Sequence, residues 1–519
     1  MRLPERGAMR SVRLVPGSRG RERPARARPA AGVPALPWLA GVAAAYAFAQ
    51  LVLVVPGTGL GWDETVYVSQ VAPRAPAAFF SAPRARGVTF LAAPVVALTS
   101  STGVLRVWLA ALSGCGLFVS LWVWRRLLPV PVLVVAGALF CGLWVTLFYG
   151  PQVMPNLWVA FGALCATGCF LRAVRDGGDR RARTGLLLAV AFTALMRPGD
   201  ALALVLPLAG AALAVRAWRR PAVLVALAAG VALGGAEWVV EAYLRYGGLA
   251  ARLHRAGEIQ GGWGLRLALG HHVRALQGRT LCRPCDVPWR HPLTAAWWFA
   301  LPVLTAGGLV VAARRRRLPE IAVPVSVAVC LAVPYQLLDY AAPRFLLPAY
   351  ALLALPVAVF LTAAATTVRS PARGAVRLLG ATVLALALLV HVGVQYKVLE
   401  KVVSRSGDSR DAFARVAGEL HRLGVRPPCI VSGTEAVRIA FRAGCASRQT
   451  SGHDGSISAA ELVAAAGRHP VAVVVSAGRA TPAYARGWHA EPLPPLPGEP
   501  AGLRVHLSVP PASGDVRRP

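Results

Sequence analysis

Two adjacent carboxylates offer the first chemistry in this chain. In Gly61-Trp62-Asp63-Glu64-Thr65-Val66-Tyr67, Asp63 and Glu64 stand just beyond the first long apolar run. Neighbouring carboxylates repel, which favours one holding a proton while the other stays charged near neutral pH. Such a pair would serve general-base chemistry or hold a divalent cation. Alone, it reads first as the solvated start of a loop. The rest of the chain decides whether it is more.

The chain has 519 residues, 56% hydrophobic and 15% charged, with a mean hydropathy of +0.53. This is too apolar for a soluble globular protein and points to a polytopic membrane protein. A net charge of +33 would ordinarily suggest a nucleic-acid partner. Here the arginines sit in an N-terminal tail and in short clusters between apolar runs, the pattern that orients a membrane protein. No nucleic acid is expected.

Residues 1–33, rich in Arg, Pro and Gly without apolar periodicity, read as a disordered cytoplasmic tail. The run 34–55 is long, lacks a small-x-small cleavage site before Pro56, and reads as a first transmembrane helix rather than a signal peptide. Further spans are expected at 104–124, 130–148, 154–171, 184–196, 201–215, 222–241, 294–313, 321–338, 345–366 and 378–396, about eleven in all. The arginine clusters at 125–126, 172–183, 216–220, 314–317 and 369–377 all fall on one side. That side is cytoplasmic by the positive-inside rule. The N-terminus is then inside, the loops 57–103, 197–200, 242–291 and 339–344 are outside, and so is the C-terminus. The expected fold is mainly α: a transmembrane helix bundle over 34–396.

Residues 397–519 form different material: a helix at 411–423, a strand at 429–432, a helix at 435–443, a short buried strand at 471–476, and a Pro-rich end. They read as a small extracytoplasmic α/β domain packed over the bundle. Of nine cysteines, five lie in expected spans as small apolar residues. Outside the membrane, disulfides are permitted, and the expected pairs are Cys282–Cys285 and Cys429–Cys445. Cys282-Arg-Pro-Cys285 also has zinc-knuckle spacing near His271, His272 and His291, but no second cysteine pair accompanies it in that loop.

Acids and arginines on one side of a membrane suit a reaction on a phosphate-linked lipid, because the guanidinium fork pairs with phosphate. Asp63 and Glu64 would supply the base or the metal ligands; Arg84, Arg86 and Arg344 are the candidates for the phosphate. Each arginine is equally open to contact with anionic lipid headgroups.

The order of motifs carries a resemblance. Trp62-Asp63-Glu64-Thr-Val-Tyr67 follows the first span, and Arg86-Gly-Val-Thr-Phe-Leu91 leads to the second. Gln152-Val-Met-Pro155-Asn156, Arg197-Pro198, and Tyr340-Ala-Ala-Pro-Arg344-Phe-Leu-Leu-Pro348-Ala-Tyr350 come later. Over roughly residues 34–396 this resembles the GT-C superfamily of integral-membrane glycosyltransferases, closest to its protein mannosyltransferase and aminoarabinose transferase branch. Two positions depart from the usual pattern: Gly87-Val88 replaces a Pro-Pro or Lys-Pro, and Gln152 replaces an acid before Met-Pro.

The resemblance implies an enzyme of the bacterial cytoplasmic membrane that moves a sugar, with inversion, from a polyprenyl-phosphate donor to a glycan, lipid or protein acceptor of the cell envelope. Asp63 would be the base, with Glu64 orienting it or binding a divalent cation. Arg86, Arg344 and Arg84 would hold the donor phosphate, and Tyr67, Tyr340 and Asp339 would contact substrate. The competing reading is a transporter or lipid flippase, for which Glu237, Glu241 and the break at Arg197–Asp200 are the hints.

Overall fold

The computed structural model describes residues 34–262, 264, 267–283, 285–368, 374–497 and 502–508. The expected basic tail, the Pro-rich end past residue 508, and Arg369 and Arg373 of the last arginine cluster lie outside the described residues.

Every apolar run is helical. α1 (Ala35–Leu53) is followed by two short helices, α2 (Trp62–Ser69) and α3 (Gly87–Val96), inside the segment expected as a mixed loop. Then come α4 (Thr102–Trp124), α5 (Val130–Cys141), α6 (Trp144–Tyr149), α7 (Pro155–Arg175), α8 (Arg180–Met196), α9 (Pro198–Ala214) and α10 (Pro221–Arg245). The long polar loop holds α11 (Leu249–Ile259) and α12 (Leu269–Ala275), and α13 (Ala296–Arg314), α14 (Leu318–Gln336), α15 (Leu347–Val368) and α16 (Gly374–Arg422) complete the bundle.

Among the described residues, eight helices, not eleven, are long and apolar enough to cross a membrane: α1, α4, α7, α10 and α13 to α16. The other three runs fall short for local reasons. The run 130–148 breaks at Gly142-Leu143 into α5 and α6. The helices α8 and α9 have 17 residues each, about 26 Å at ~1.5 Å per residue against a hydrocarbon layer of about 30 Å. They part at Arg197, whose extended backbone precedes Pro198 at the first position of α9, a place proline favours because it needs no N–H partner there.

α7 is buried on nearly every side from Pro155 to Val174, as expected of a helix apolar all round. α16, by contrast, exposes Leu378, Leu379, Val383, Leu389 and Val390. Small residues let the helices approach. A Cβ on Gly234 of α10 would overlap the Ala191 carbonyl of α8, and one on Gly308 of α13 would overlap the Pro356 carbonyl of α15.

The last span does not stop at Tyr396. α16 runs unbroken for 49 residues and becomes the first helix of the tail domain. Its Ala412, Val416 and Leu420 pack with Ile439 and Ala440 of α17 (Ala436–Ala443) on one face of a five-stranded mixed sheet. The strands β1 (Ile430–Gly433), β2 (Ala446–Ser447), β3 (Val471–Ser476), β4 (His489–Leu493) and β5 (Leu503–Leu507) lie in the order β2-β1-β3-β5-β4. β1 is parallel to β2 and β3; β5 is antiparallel to β3 and β4. Period-two alternation splits β3: Ala472 and Val474 face α16 and α17, while Val471, Val473 and Val475 join Leu462 of α18 (Ala459–Ala466). β3 is therefore buried throughout, which explains its unbroken apolar sequence.

The α8–α10 crossing gives a paired test. Gly234→Val forces side-chain atoms into Ala191 and should cost about 1–3 kcal/mol. Gly235 has nothing within 4 Å, so Gly235→Val should leave the thermal midpoint in detergent near that of the parent. Equal midpoints for the two variants would contradict this crossing.

Candidate active site at one end of the bundle

Asp63 and Glu64 occupy the first turn of α2, where the helix dipole favours negative charge. They are not the start of a solvated loop. Glu64 turns inward. Its Oε2 accepts the Gly61 N–H at 2.9 Å, closing the helix start, and a guanidinium N–H of Arg106 at 2.8 Å. Its Oε1 accepts the Val153 N–H at 2.8 Å and the second arm of Arg106. Arg106, fully buried on α4, also donates to the carbonyls of Pro151 (2.8 Å) and Gly59 (2.6 Å). One ion pair thus fastens three chain segments, and with four acceptor sites filled Glu64 has a positioning role.

Asp63 turns the other way. Its Oδ1 accepts from Arg84 at 2.7 Å and its Oδ2 from Arg344 at 2.9 Å. Arg344 stands just before α15 and also donates to the Thr280 carbonyl at 2.9 Å. The Arg84 guanidinium lies 5.9 Å from the Tyr67 ring centroid and 3.9 Å from Asp454 of the tail domain. Burial, the largest influence, pushes the Asp63 pKa up; Arg84 and Arg344 together outweigh it and hold the carboxyl below its usual range. Burial also raises Asp454, with Arg84 pulling the other way and Asp63 adding to the rise. The two adjacent carboxylates point apart, Asp63 to Arg84 and Arg344 and Glu64 to Arg106.

The residues do not fit a divalent cation. Both carboxylates are engaged by guanidinium groups, and among the described residues no three His, Cys, Asp or Glu side chains gather as metal ligands.

Asp63 opens on a cavity of about 920 Å³. Its side chain is 35% exposed, against 10% for Arg344 and 12% for Arg84. The walls come from residues 59–64, from Tyr149, Gln152 and Met154, and from the loop 277–291. Lys401 and Arg405 of α16 and Arg438 of α17 complete them. A disulfide joins Cys282 to Cys285, and Cys282 exchanges backbone hydrogen bonds with Ala341 (2.8 and 3.2 Å), tying that loop to the segment before Arg344. Another disulfide joins Cys429 and Cys445 beside β1 and β2.

The remaining candidates scatter. Arg86 is not with Asp63; its charge is taken by Glu241 at 2.5 Å and Glu237 at 3.4 Å, and it lies over Phe80. Glu241 also binds Arg252 at 2.9 Å, and Arg252 donates to the carbonyls of Ala82 and Arg84. That network braces the segment carrying Arg84. Arg197 pairs with Asp200 at 3.1 Å, and Asp200 accepts the Tyr335 hydroxyl at 2.6 Å. The groups that hinted at a transporter are thus engaged in ion pairs at this same end. Tyr67 is buried edge-on to Phe80. Tyr340 packs beneath Arg283 and against Phe345, and Asp339 packs against Gly261, whose φ is +90°. Arg106 was missed by the sequence reading, although a lone cation in the apolar run 104–124 is a signal in itself.

No family model matches the sequence, and no curated protein matches it. The solved structures do. ArnT from Cupriavidus metallidurans bound to undecaprenyl phosphate superposes with a TM-score of 0.61 at 13% identity, covering 92% of this chain and 98% of that one. The chain shares the fold of this ArnT. The apo state of the same ArnT gives 0.60 at 13% identity, over 91% and 98% of the two chains. The Archaeoglobus fulgidus oligosaccharyltransferase in its apo form gives 0.52 at 13% identity, over 85% and 69%. At such identity the likeness is one of fold.

The Arg106–Glu64 pair makes a stability prediction within this fold. Arg106→Ala strands a buried carboxylate and should destabilise by about 3–5 kcal/mol. Arg106→Ala with Glu64→Ala removes the stranded charge and should recover part of that loss in thermal unfolding. An additive double variant would refute the pairing.

Proposed function

We propose that this chain is a membrane glycosyltransferase that moves a sugar from a polyprenyl-phosphate donor to an acceptor outside the cytoplasm, with Asp63 as general base. One observation carries the reading: a carboxylate kept charged by two arginines on the wall of a large cavity, at the end of the bundle where α1 finishes. The fold shared with an ArnT that binds undecaprenyl phosphate supports a polyprenyl-phosphate donor.

The orientation follows from charge. The arginine clusters meet at the opposite end: Arg126 pairs with Asp179 at 3.7 Å, Arg175 with Glu320, and Arg317 reaches the Leu127 carbonyl at 3.3 Å. We infer that this basic end is cytoplasmic by the positive-inside rule, so the cavity and the C-terminus are extracytoplasmic.

In the reaction, Asp63 takes the proton of the acceptor hydroxyl as that oxygen attacks the anomeric carbon. The bond from this carbon to the phosphate oxygen breaks on the far side, inverting the centre, and the electron pair leaves on the lipid phosphate. In this reading Arg344, which lines the cavity, stabilises that departing charge, a contribution that is usually large, and Arg84 holds Asp63 from behind the cavity wall. A carboxylate has about four lone-pair sites and the two arginines occupy one on each oxygen, so Asp63 retains acceptor capacity. Glu64, Arg106 and the Glu241–Arg252 pair keep Asp63 and Arg84 in place.

The test is transfer of radiolabelled sugar from a panel of polyprenyl-phosphate sugars in membranes. Asp63→Asn should abolish transfer without loss of expression or insertion; retained activity in that variant would sink the assignment. The pH profile supplies a second check. Ionised Asp63 is the competent form and its pKa is depressed, so the rate should stay level from neutral to mildly acidic pH. Arg84→Gln removes a neighbouring cation, raises the carboxyl pKa, and should move the acidic limb to higher pH. A limb that stays put would separate Arg84 from the titrating group.

A further inference from the structure

A second cavity, of about 450 Å³, lies on the other side of the Gly59-Leu60 wall, between the α3–α4 turn and the tail domain. Nothing in the sugar-transfer reading uses it. Four arginines line it: Arg74 from the segment after α2, Arg410 from α16, and Arg438 and Arg442 from α17, with no carboxylate among the lining residues. Arg410 and Arg438 bring their own counter-ions, Asp411 at 2.8 Å and Glu435 at 2.7 Å. Arg74 and Arg442 form no ion pair among the described residues; the polar contact of Arg74 is the Ser100 hydroxyl at 3.1 Å. Both are exposed at the cavity rim, Arg442 within electrostatic reach of Asp411, so each keeps guanidinium N–H groups open to an anion.

The same space is half apolar. Phe413 and Phe441 line it from the tail domain, and Leu98 lines it from the α3–α4 turn. Leu98 is 88% exposed and Phe90 of α3 is 49% exposed. α4, a membrane-crossing helix by length and composition, begins at Thr102, which itself lines the cavity beside Leu98. Guanidinium groups prefer phosphate because the planar fork matches two of its oxygens.

We propose that this cavity binds an anionic phospholipid, its phosphate between Arg74 and Arg442 and its acyl chains beside Leu98. The lipid would join the membrane domain, through Arg74 and Ser100, to the tail domain, through Arg442. The proposal is independent of the reaction assigned to the Asp63 cavity.

The full chain, extracted in neutral detergent, is titrated in native mass spectrometry with dioleoyl phosphatidylglycerol, dioleoyl phosphatidylcholine or inorganic phosphate. One phosphatidylglycerol should be retained, and Arg74→Gln with Arg442→Gln should weaken it by at least about tenfold. Phosphatidylcholine should be retained more weakly by a similar factor. If the double variant loses its monodisperse elution peak, Arg442→Gln alone takes its place, and Arg479→Gln on an exposed turn should retain lipid as the parent does. Unchanged retention in the arginine variants, or equal retention of phosphatidylcholine, would overturn the site. Displacement of phosphatidylglycerol by millimolar inorganic phosphate would show a free-anion site and overturn the lipid.

Discussion

A carboxylate placed at the end of a helix bundle stays charged only if cations are brought to it, because burial alone would return its proton. Around the candidate site this constraint is met three times. Asp63 is held by Arg84 and Arg344, Glu64 by Arg106, and Glu241 by Arg86 and Arg252. The partners lie from 11 to 281 residues apart in sequence, so the pairs also set the relative positions of α2, α4, α10, α11 and the segment before α15. Glu64–Arg106 is sealed from solvent and Asp63 is not. That difference separates a fastening pair from one that can still meet a substrate.

The tail domain falls under the same constraint. α16 carries the chain from the bundle into the sheet without a break, so Lys401, Arg405 and the sheet that follows are fixed in direction by one helix. The loop after β2 then returns Asp454 to within 3.9 Å of Arg84, and Arg255 of α11 donates to the Gly452 carbonyl at 3.3 Å. A domain placed as a cover thereby reaches the charged cluster.

Local patterns in the sequence marked the fold more clearly than the site. Apolar runs located the long helices of the bundle, since length and hydropathy suffice for that, but not α2, α3, α11 and α12, which lie in segments expected as loops. They overcounted the spans because composition does not register a break such as Gly142-Leu143 or the shortness of α8 and α9. The strand at 471–476 stood out because burial on both faces leaves an unbroken apolar run. The continuity of α16 was not legible, because its polarity changes at Lys397 while its backbone does not. At the site, Asp63, Arg84 and Arg344 could be singled out one by one, but not the choice between Arg84 and Arg86. That choice depends on Glu241, which is 155 residues from Arg86.

A base with a depressed pKa looks at first like a poor base, since proton affinity and catalytic efficiency rise together. Arg84 and Arg344 bear on this: their charge falls on Asp63 and lowers its basicity. In the proposed reaction a donor phosphate would compete for the guanidinium group of Arg344, and a hydrogen bond drawn away from Asp63 would raise the proton affinity of the carboxylate. The base would then be strongest when the leaving group is already in place.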